Sequence, residues 1–324
     1  MTNTTEKNIH ITQDGNSKRA SLQKFQNHFF ILPTVATAIA LVSLFMFGLQ
    51  PGIDLKGGSL LQVTYPEGRP ELLAVQEKVD ALEYGEIRIQ PSNENDFILR
   101  QRELKPQEKD ALDDALLTFG TVTEVQFNSV GPSIGAELMQ KAWWAIGAIT
   151  LLTILFIAFA FRGVSVPVAS WKYGVVAIVT LLHDILIPIG LFAYLGHAHG
   201  AEVGALFIVA LLTILGISIN DTIVVFDRIR ENLNLNIKSG KKEPFGEVVW
   251  HSIAQTFTRS INTSVTVILV LLALFFVGPV STKDFALTLT IGMIAGTYSS
   301  IFLASPLLIL IEKYQKPAAV TEKK

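Results

Sequence analysis

Two carboxyls stand where charge is expensive. Asp184 follows His183 inside one long apolar run, and Asn220-Asp221 interrupts another. At the centre of a membrane helix an ionised side chain costs at least about 2.5–3.5 kcal/mol on insertion scales. A carboxyl removed from water can load and release protons near neutral pH, so one functional reading of these positions is a proton relay. Arg259 lies just before a further apolar run. It cannot give up its proton and can only bias a nearby acid electrostatically. Asp221 is about six residues from the inner edge of its run, roughly 9 Å by helical rise. Antiparallel neighbouring helices could therefore bring Asp221 and Arg259 together. His183 points roughly 100° away from Asp184 on a helix and is not required as its partner. The competing reading is packing, in which a protonated Asp or an Asn hydrogen-bonds a neighbouring helix and Arg259 snorkels to the surface.

Other polar groups make poorer chemistry. His197-Ala-His199 offers two imidazoles with no third ligand in view, so a solvated loop is the reading and no metal is expected. Gly57-Gly58 has no surrounding phosphate-loop lysine pattern and reads as a turn into a strand. The chain has no cysteine, which excludes disulfides, thiolate metal sites and a cysteine nucleophile. No nucleophile constellation stands out, so neither an enzyme nor a cofactor is expected. The net charge of −2 argues against nucleic acid, whose binders carry a basic face.

The elements that hold these residues are long and apolar. Half of the 324 residues are hydrophobic and only 17% are charged, below the quarter or so of a soluble domain. Six runs are long and apolar enough to cross a bilayer, which takes about 20 residues as a helix. They are 28–48, 142–161, 174–196, 204–226, 261–277 and 285–311, the fifth short and able to begin earlier. Gly292, Gly296 and Pro306 mark the last as tilted or kinked, and Gly292 and Gly296 have the spacing of close helix packing. Trp143 and Trp144 suit an interface. The basic stretch Lys238–Lys242 reads as a solvated turn able to touch anionic lipid. With the amino terminus inside, the four inner segments hold 16 of the 26 basic residues and the two short outer loops hold one. That bias places both termini in the cytoplasm.

The remaining 9 basic residues fall in a segment of about 90 residues, 49–141, which also holds 16 acids. It reads as a soluble outer domain with the order strand, helix, strand, strand, helix, strand. Ser59–Tyr65 alternates with Leu61, Val63 and Tyr65 on one face. Pro70–Leu82 aligns Leu72, Val75, Val79 and Leu82 as a helical stripe with Pro70 in its first turn. Glu86–Gln90 and Phe97–Arg102 flank a Pro-Ser-Asn turn. Pro106–Phe119 aligns Leu112, Leu116 and Phe119, and Thr121–Asn128 alternates Thr123, Val125 and Phe127. This is the ferredoxin-like βαββαβ order. The expected architecture is an α-helical membrane protein of six transmembrane helices with this α+β domain between spans 1 and 2. Residues 1–27 and 312–324 would be cytoplasmic tails.

Residues 216–232, Gly-Ile-Ser-Ile-Asn-Asp-Thr-Ile-Val-Val-Phe-Asp-Arg-Ile-Arg-Glu-Asn, closely resemble the fourth-span signature of the SecF branch of the SecD/SecF family, membrane subunits of the bacterial Sec protein translocase. Three further blocks agree: Gly52-Ile-Asp54-Leu-Lys-Gly57-Gly58 after the first span, Val130-Gly131-Pro132-Ser-Ile-Gly-Ala-Glu-Leu138 before the second, and Arg259-Ser-Ile-Asn-Thr-Ser264 opening the fifth. Leu55-Lys56 is nearer the SecD form of its motif, whereas Asn220-Asp221 followed by Phe226-Asp227-Arg228 favours SecF. The resemblance covers about residues 25–312. It implies half of an RND-type transporter bundle that pairs with SecD beside the SecYEG channel in the inner membrane, with SecA driving an earlier stage and YajC a possible associate. It further implies use of the proton motive force to draw exported chains outward. Asp221 and Arg259 match positions the family associates with proton passage, and Asp184 a recurrent acidic position. A proton-driven small-molecule exporter and a passive translocon scaffold are the competing classes. Outer strand edges could add a peptide strand.

Overall fold

The computed structural model describes residues 30–160, 168–241 and 243–314. Most of the expected tails and Lys242 of the basic turn lie outside the described residues. The chain forms two compact units, one of helices and one containing a sheet, the latter made of residues 49–146 and 198–208.

The sheet unit opens with one helical turn, α2 (Ile53–Lys56), and continues β1 (Gly58–Thr64), α3 (Leu72–Asp80), β2 (Arg88–Ser92), β3 (Asp96–Gln101), α4 (Pro106–Leu117) and β4 (Thr123–Val130). The four strands pair antiparallel in the order β2-β3-β1-β4. The alternation expected in β1 puts Leu61, Val63 and Tyr65 in the core with Phe97 and Leu99 of β3. Val75 and Val79 of α3 and Leu112 and Leu116 of α4 close it from the helix side. The Tyr65 hydroxyl donates to the Leu116 carbonyl at 3.1 Å and so ties β1 to the end of α4. Burial pushes this phenol up to about 12.

Three local expectations shift. Leu72 is exposed, because α3 starts there and Glu71, not Pro70, precedes its first turn. Pro91 and Ser92 belong to β2, and the turn is Asn93-Glu94-Asn95. Proline is tolerated there because β2 is an edge strand. Val125 is exposed although it alternates correctly. The β1–β4 register moves from Gln62–Gln126 to Val63–Glu124, which leaves Val125 at a bulge and turns it out of the face.

The helical elements are α1 (Ile31–Phe47), α5 (Pro132–Ala160), α6 (Ser170–His199), α7 (Ala205–Ser239), α8 (Phe245–Val277), α9 (Val280–Ser299), a π-helical turn (Ser300–Ala304) and α10 (Ser305–Tyr314). Among the described residues, five helical stretches are long and apolar enough to cross a membrane. The first expected span corresponds to α1, whose 17 residues rise about 25 Å, less than the hydrocarbon thickness of about 30 Å. The kink expected in the last span is the π turn. Pro306 has no N–H to offer the preceding turn, and the chain widens just before it, with the Ser305 hydroxyl donating to the Ser300 carbonyl at 3.0 Å.

The helical unit packs around Tyr173 and Val176 of α6, Phe226 and Ile229 of α7, Val248 and Val249 of α8, and Ile301 and Leu308. Tyr173 and Phe226 meet edge to face at 5.3 Å. Small residues set the closest approaches. A Cβ on Gly190 would overlap the backbone of Ala40, and the Ser43 hydroxyl donates to the Gly190 carbonyl at 2.7 Å, so α1 lies directly on α6. Gly292 and Gly296 of α9 face Ile214 and Ser218 of α7, as their spacing suggests.

Candidate functional site: a buried polar cluster across four helices

The helical unit gathers its polar side chains where α6 to α9 meet. Asp184 is fully buried and both of its carboxyl oxygens are engaged. His183 Nδ1 lies 2.8 Å from Oδ1, and the Ser218 hydroxyl donates to Oδ2. On the far side of the imidazole, the Tyr298 hydroxyl sits 2.7 Å from His183 Nε2, with the two rings edge to face. His183 is therefore a partner of Asp184, although their angular separation on the helix did not require it. A helix fixes where Cβ points, but the imidazole and the carboxyl both reach beyond Cβ, and Tyr298 holds the ring turned toward its neighbour.

Asp221 is also buried and receives a hydrogen bond from Ser264 of α8. Thr297 of α9 lies 2.7 Å from the Ser264 hydroxyl and also donates to the Met293 carbonyl at 2.6 Å. The two arms have common supports. Ser218 and Asp221 stand three residues apart on α7, on one face. Thr297 and Tyr298 are neighbours on α9. Gly296 admits Ser218 closely, since a Cβ there would lie 3.2 Å from the Ser218 Cβ. A third hydroxyl contact, Thr222 to Ser300 at 3.0 Å, joins α7 to the π turn.

Arg259 acts on Asp221 through space, and Asp184 opposes it as a like charge. Among the described residues no ion pair within 4.0 Å joins Arg259 to Asp221, and Arg259 is exposed. The direct partner of Asp221 is a hydroxyl and not the guanidinium. Asn220 is exposed, as its position next to a buried residue on a helix requires, and stays outside the cluster. Asp227 pairs with Arg230 at 2.6 Å and Arg228 with Glu231 at 2.7 Å, contacts along the surface of α7 that contribute little. Asn232 ties α7 to α8 through Ser252 and Gln255 at 2.8 and 3.0 Å.

The glycine-rich motif has a structural role inside the sheet unit. Asp54 Oδ2 accepts the Ala205 N–H at 2.9 Å and so caps the first turn of α7. Gly52 N–H donates to the Val203 carbonyl and Val203 N–H to the Gln50 carbonyl, at 2.9 and 2.8 Å. Gly57 has φ +82, and a Cβ there would come within 2.6 Å of Pro132 Cα. Gly58 has φ +135 and presses as closely on the Gln101 carbonyl. Gly131 accepts the Gly135 N–H at 3.0 Å, and Pro132 takes the first position of α5. These residues clasp the starts of β1, α5 and α7. Glu202 completes the clasp, 3.2 Å from Arg100 and 3.9 Å from Lys56.

His197 stacks on Phe47 at 4.4 Å, and the His199 carbonyl accepts from Gln90. Among the described residues no three His, Cys, Asp or Glu side chains gather as a metal group. Ser218, Ser264, Thr297 and Tyr298 were not apparent from sequence, because single hydroxyls are common in apolar helices. The one available signal was Ser218, a single turn from Asp221.

Comparison with known proteins bears on the whole arrangement. Residues 112–314 match the family of the protein export membrane protein SecD/SecF, C-terminal, and residues 42–65 match the SecD/SecF GG motif. The chain is 40% identical to the protein translocase subunit SecF of Thermobaculum terrenum, over 87% of this chain and 90% of the relative. It is 36% identical to that of Sebaldella termitidis, over 91% and 93%. The crystal structure of SecDF, a translocon-associated membrane protein from Thermus thermophilus, superposes with a TM-score of 0.77 at 31% identity. That match covers 90% of this chain and 38% of the solved one, so the chain spans well under half of its length. With the family matched across most of its residues and relatives aligned nearly end to end, the chain belongs to the SecD/SecF family of protein export membrane proteins.

Proposed function

We propose that this chain is a SecF-like subunit of the Sec translocase. It pairs with SecD and uses the proton motive force to assist translocation of exported polypeptides after SecA-driven insertion into SecYEG. The observation that carries the proton part is the pair of buried carboxyls, Asp184 and Asp221, in one polar cluster with hydroxyls of α7, α8 and α9. Membrane-buried acids are rare and mark ion or proton paths.

On this reading α1 belongs to the first of six spans, and the sheet unit is a periplasmic ferredoxin-like domain of residues 49–141. Its antiparallel β2-β3-β1-β4 order suits that name. Spans 2–6 occupy 142–311, and both termini are cytoplasmic in the bacterial inner membrane. SecD is the direct partner, SecYEG the channel, SecA an indirect partner and YajC a further associate. The exposed apolar faces of α1, α5 and α8 meet lipid or SecD. Proton binding drives a change in helix packing only if two conformations differ in proton affinity. Asp221, Asp184 and Arg259 form the proton path, with Asn220 at its exposed side.

The test is Asp221→Asn, with export of a secreted precursor measured at equal complex abundance, with and without a proton gradient. The expected result is loss of the gradient-dependent part alone. Unchanged export would make Asp221 a packing residue.

A further inference from the structure

The proton reading assigns roles to carboxyls and one arginine, and leaves His183 and Tyr298 unused. Yet Asp184 is not a lone acid. Its Oδ1 faces His183 Nδ1 at 2.8 Å, and His183 Nε2 faces the Tyr298 hydroxyl at 2.7 Å. His183 and Asp184 are both buried, and Tyr298 is half-buried. We infer that His183 and Asp184 bind one proton as a single unit, and that Tyr298 is the positioning residue through which the imidazole gains and loses it. This rests on the proton reading above and extends it to His183 and Tyr298.

The proton balance follows from the three hydrogen bonds. With Asp184 ionised and His183 neutral, Nδ1–H donates to Asp184 and Nε2 accepts the Tyr298 hydroxyl proton. One added proton at Nε2 reverses only the Tyr298 bond, with Nε2–H now donating to the phenol oxygen. No heavy atom need move. The buried pair passes from a charge of minus one to zero. An imidazolium against a carboxylate is a compensated pair, whereas the carboxylate alone is held by hydrogen bonds only. Ser218 keeps Oδ2 occupied in both states, so the added proton is directed to the imidazole side.

The other charged and titratable groups facing this pair are few. Asp221 from α7 acts on Asp184 electrostatically, and Arg259 from α8 acts on Asp221. Tyr298 comes from α9. The described part of the first span, Ile31–Phe47, contains no titratable side chain. A change of charge on the pair therefore acts on Asp221 and on Tyr298. Tyr298, and not His183 or Asp184, lines a cavity of about 320 Å³ walled mainly by apolar side chains, among them Phe257, Ile261, Ile294 and Phe302.

The test uses the full chain in lipid bilayers with ¹⁵N-labelled histidine, followed by solid-state NMR from about pH 5 to 8, the range in which imidazole ordinarily titrates. The His183 signal is assigned by its loss in His183→Gln. The expected result is an imidazolium signal that disappears in Asp184→Asn. In Tyr298→Phe its midpoint moves by at least about half a pH unit, a threefold change in proton affinity. A His183 that is neutral throughout, or indifferent to both substitutions, overturns the inference. The export assay on Asp221→Asn judges the preceding reading separately. Loss of gradient-dependent export with a His183 signal unmoved by either variant leaves that reading standing and removes this one. Export unaffected by Asp221→Asn, with the expected His183 behaviour, does the reverse.

Discussion

Asp184 is held by two donors of different kinds, and the hydroxyl is the cheaper to remove. Ser218→Ala leaves Oδ2 of a fully buried carboxyl without its partner. The expected cost is about 1–3 kcal/mol, read as a lower thermal midpoint of the full chain in detergent. Ser218→Thr, which keeps the hydroxyl, should retain more of that stability. In the sheet unit, Glu108 accepts from both Arg102 nitrogens at 2.8 and 2.9 Å and from the Lys105 backbone N–H at 2.9 Å. The Arg102 hydrogen bonds first, then the backbone one, hold its carboxyl down to about 2, against an ordinary value of 4.5. A depressed carboxyl favours the folded state fully above its unfolded pKa, and the contribution is lost as pH falls through the folded one. Acid unfolding of the wild type should therefore include a component between about pH 4.5 and 2 that Glu108→Gln lacks. Circular dichroism of the two proteins across that range checks it, and the effect is small because the ion pair with Arg102 lies at the surface and is screened by solvent.

At the scale of elements, glycines decide where helices touch, and the consequences depend on what they touch. Gly190 faces the backbone of Ala40, which cannot move aside, while Gly292 faces the flexible side chain of Ile214. Gly190→Val is expected to force α1 from α6 and to cost about 1–3 kcal/mol, as overpacking usually does. Gly292→Ala should cost less, because Ile214 can change rotamer. Thermal unfolding of both variants in the same detergent compares them, and an equal loss would contradict this account. Element identity was readable from residue periodicity and from proline positions. The exposure of Val125 was not, since a bulge depends on how β1 and β4 register and strict alternation carries no sign of it.

At the scale of the molecule, the proposed orientation, read from the distribution of basic residues, has the sheet unit external and the α7–α8 turn internal. The natural chain has no cysteine, so single cysteines report topology without background. Glu94→Cys in the β2–β3 turn is expected to react with a membrane-impermeant maleimide in intact spheroplasts. Ser239→Cys at the end of α7 should react only after permeabilisation. The reverse pattern would invert the orientation.

The sequence by itself determined the apolar helices, the α/β order of the sheet unit and the positions of Asp184 and Asp221. These follow from local hydropathy, from residue periodicity and from the cost of charge in lipid, all of which act along the chain. Only the tertiary structure decided what the acids touch. It gave Asp221 a serine where charge alone suggested Arg259, and gave Asp184 the imidazole beside it together with Ser218 and Tyr298 from helices distant in sequence. It also turned Gly52, Asp54, Gly57 and Gly58 from a motif into a clasp on the starts of α5 and α7. The physical reason is the same in each case. Hydroxyls and glycines cost little in an apolar helix and leave a weak signal in composition, while a hydrogen bond or a close approach needs a second element that only folding brings into place.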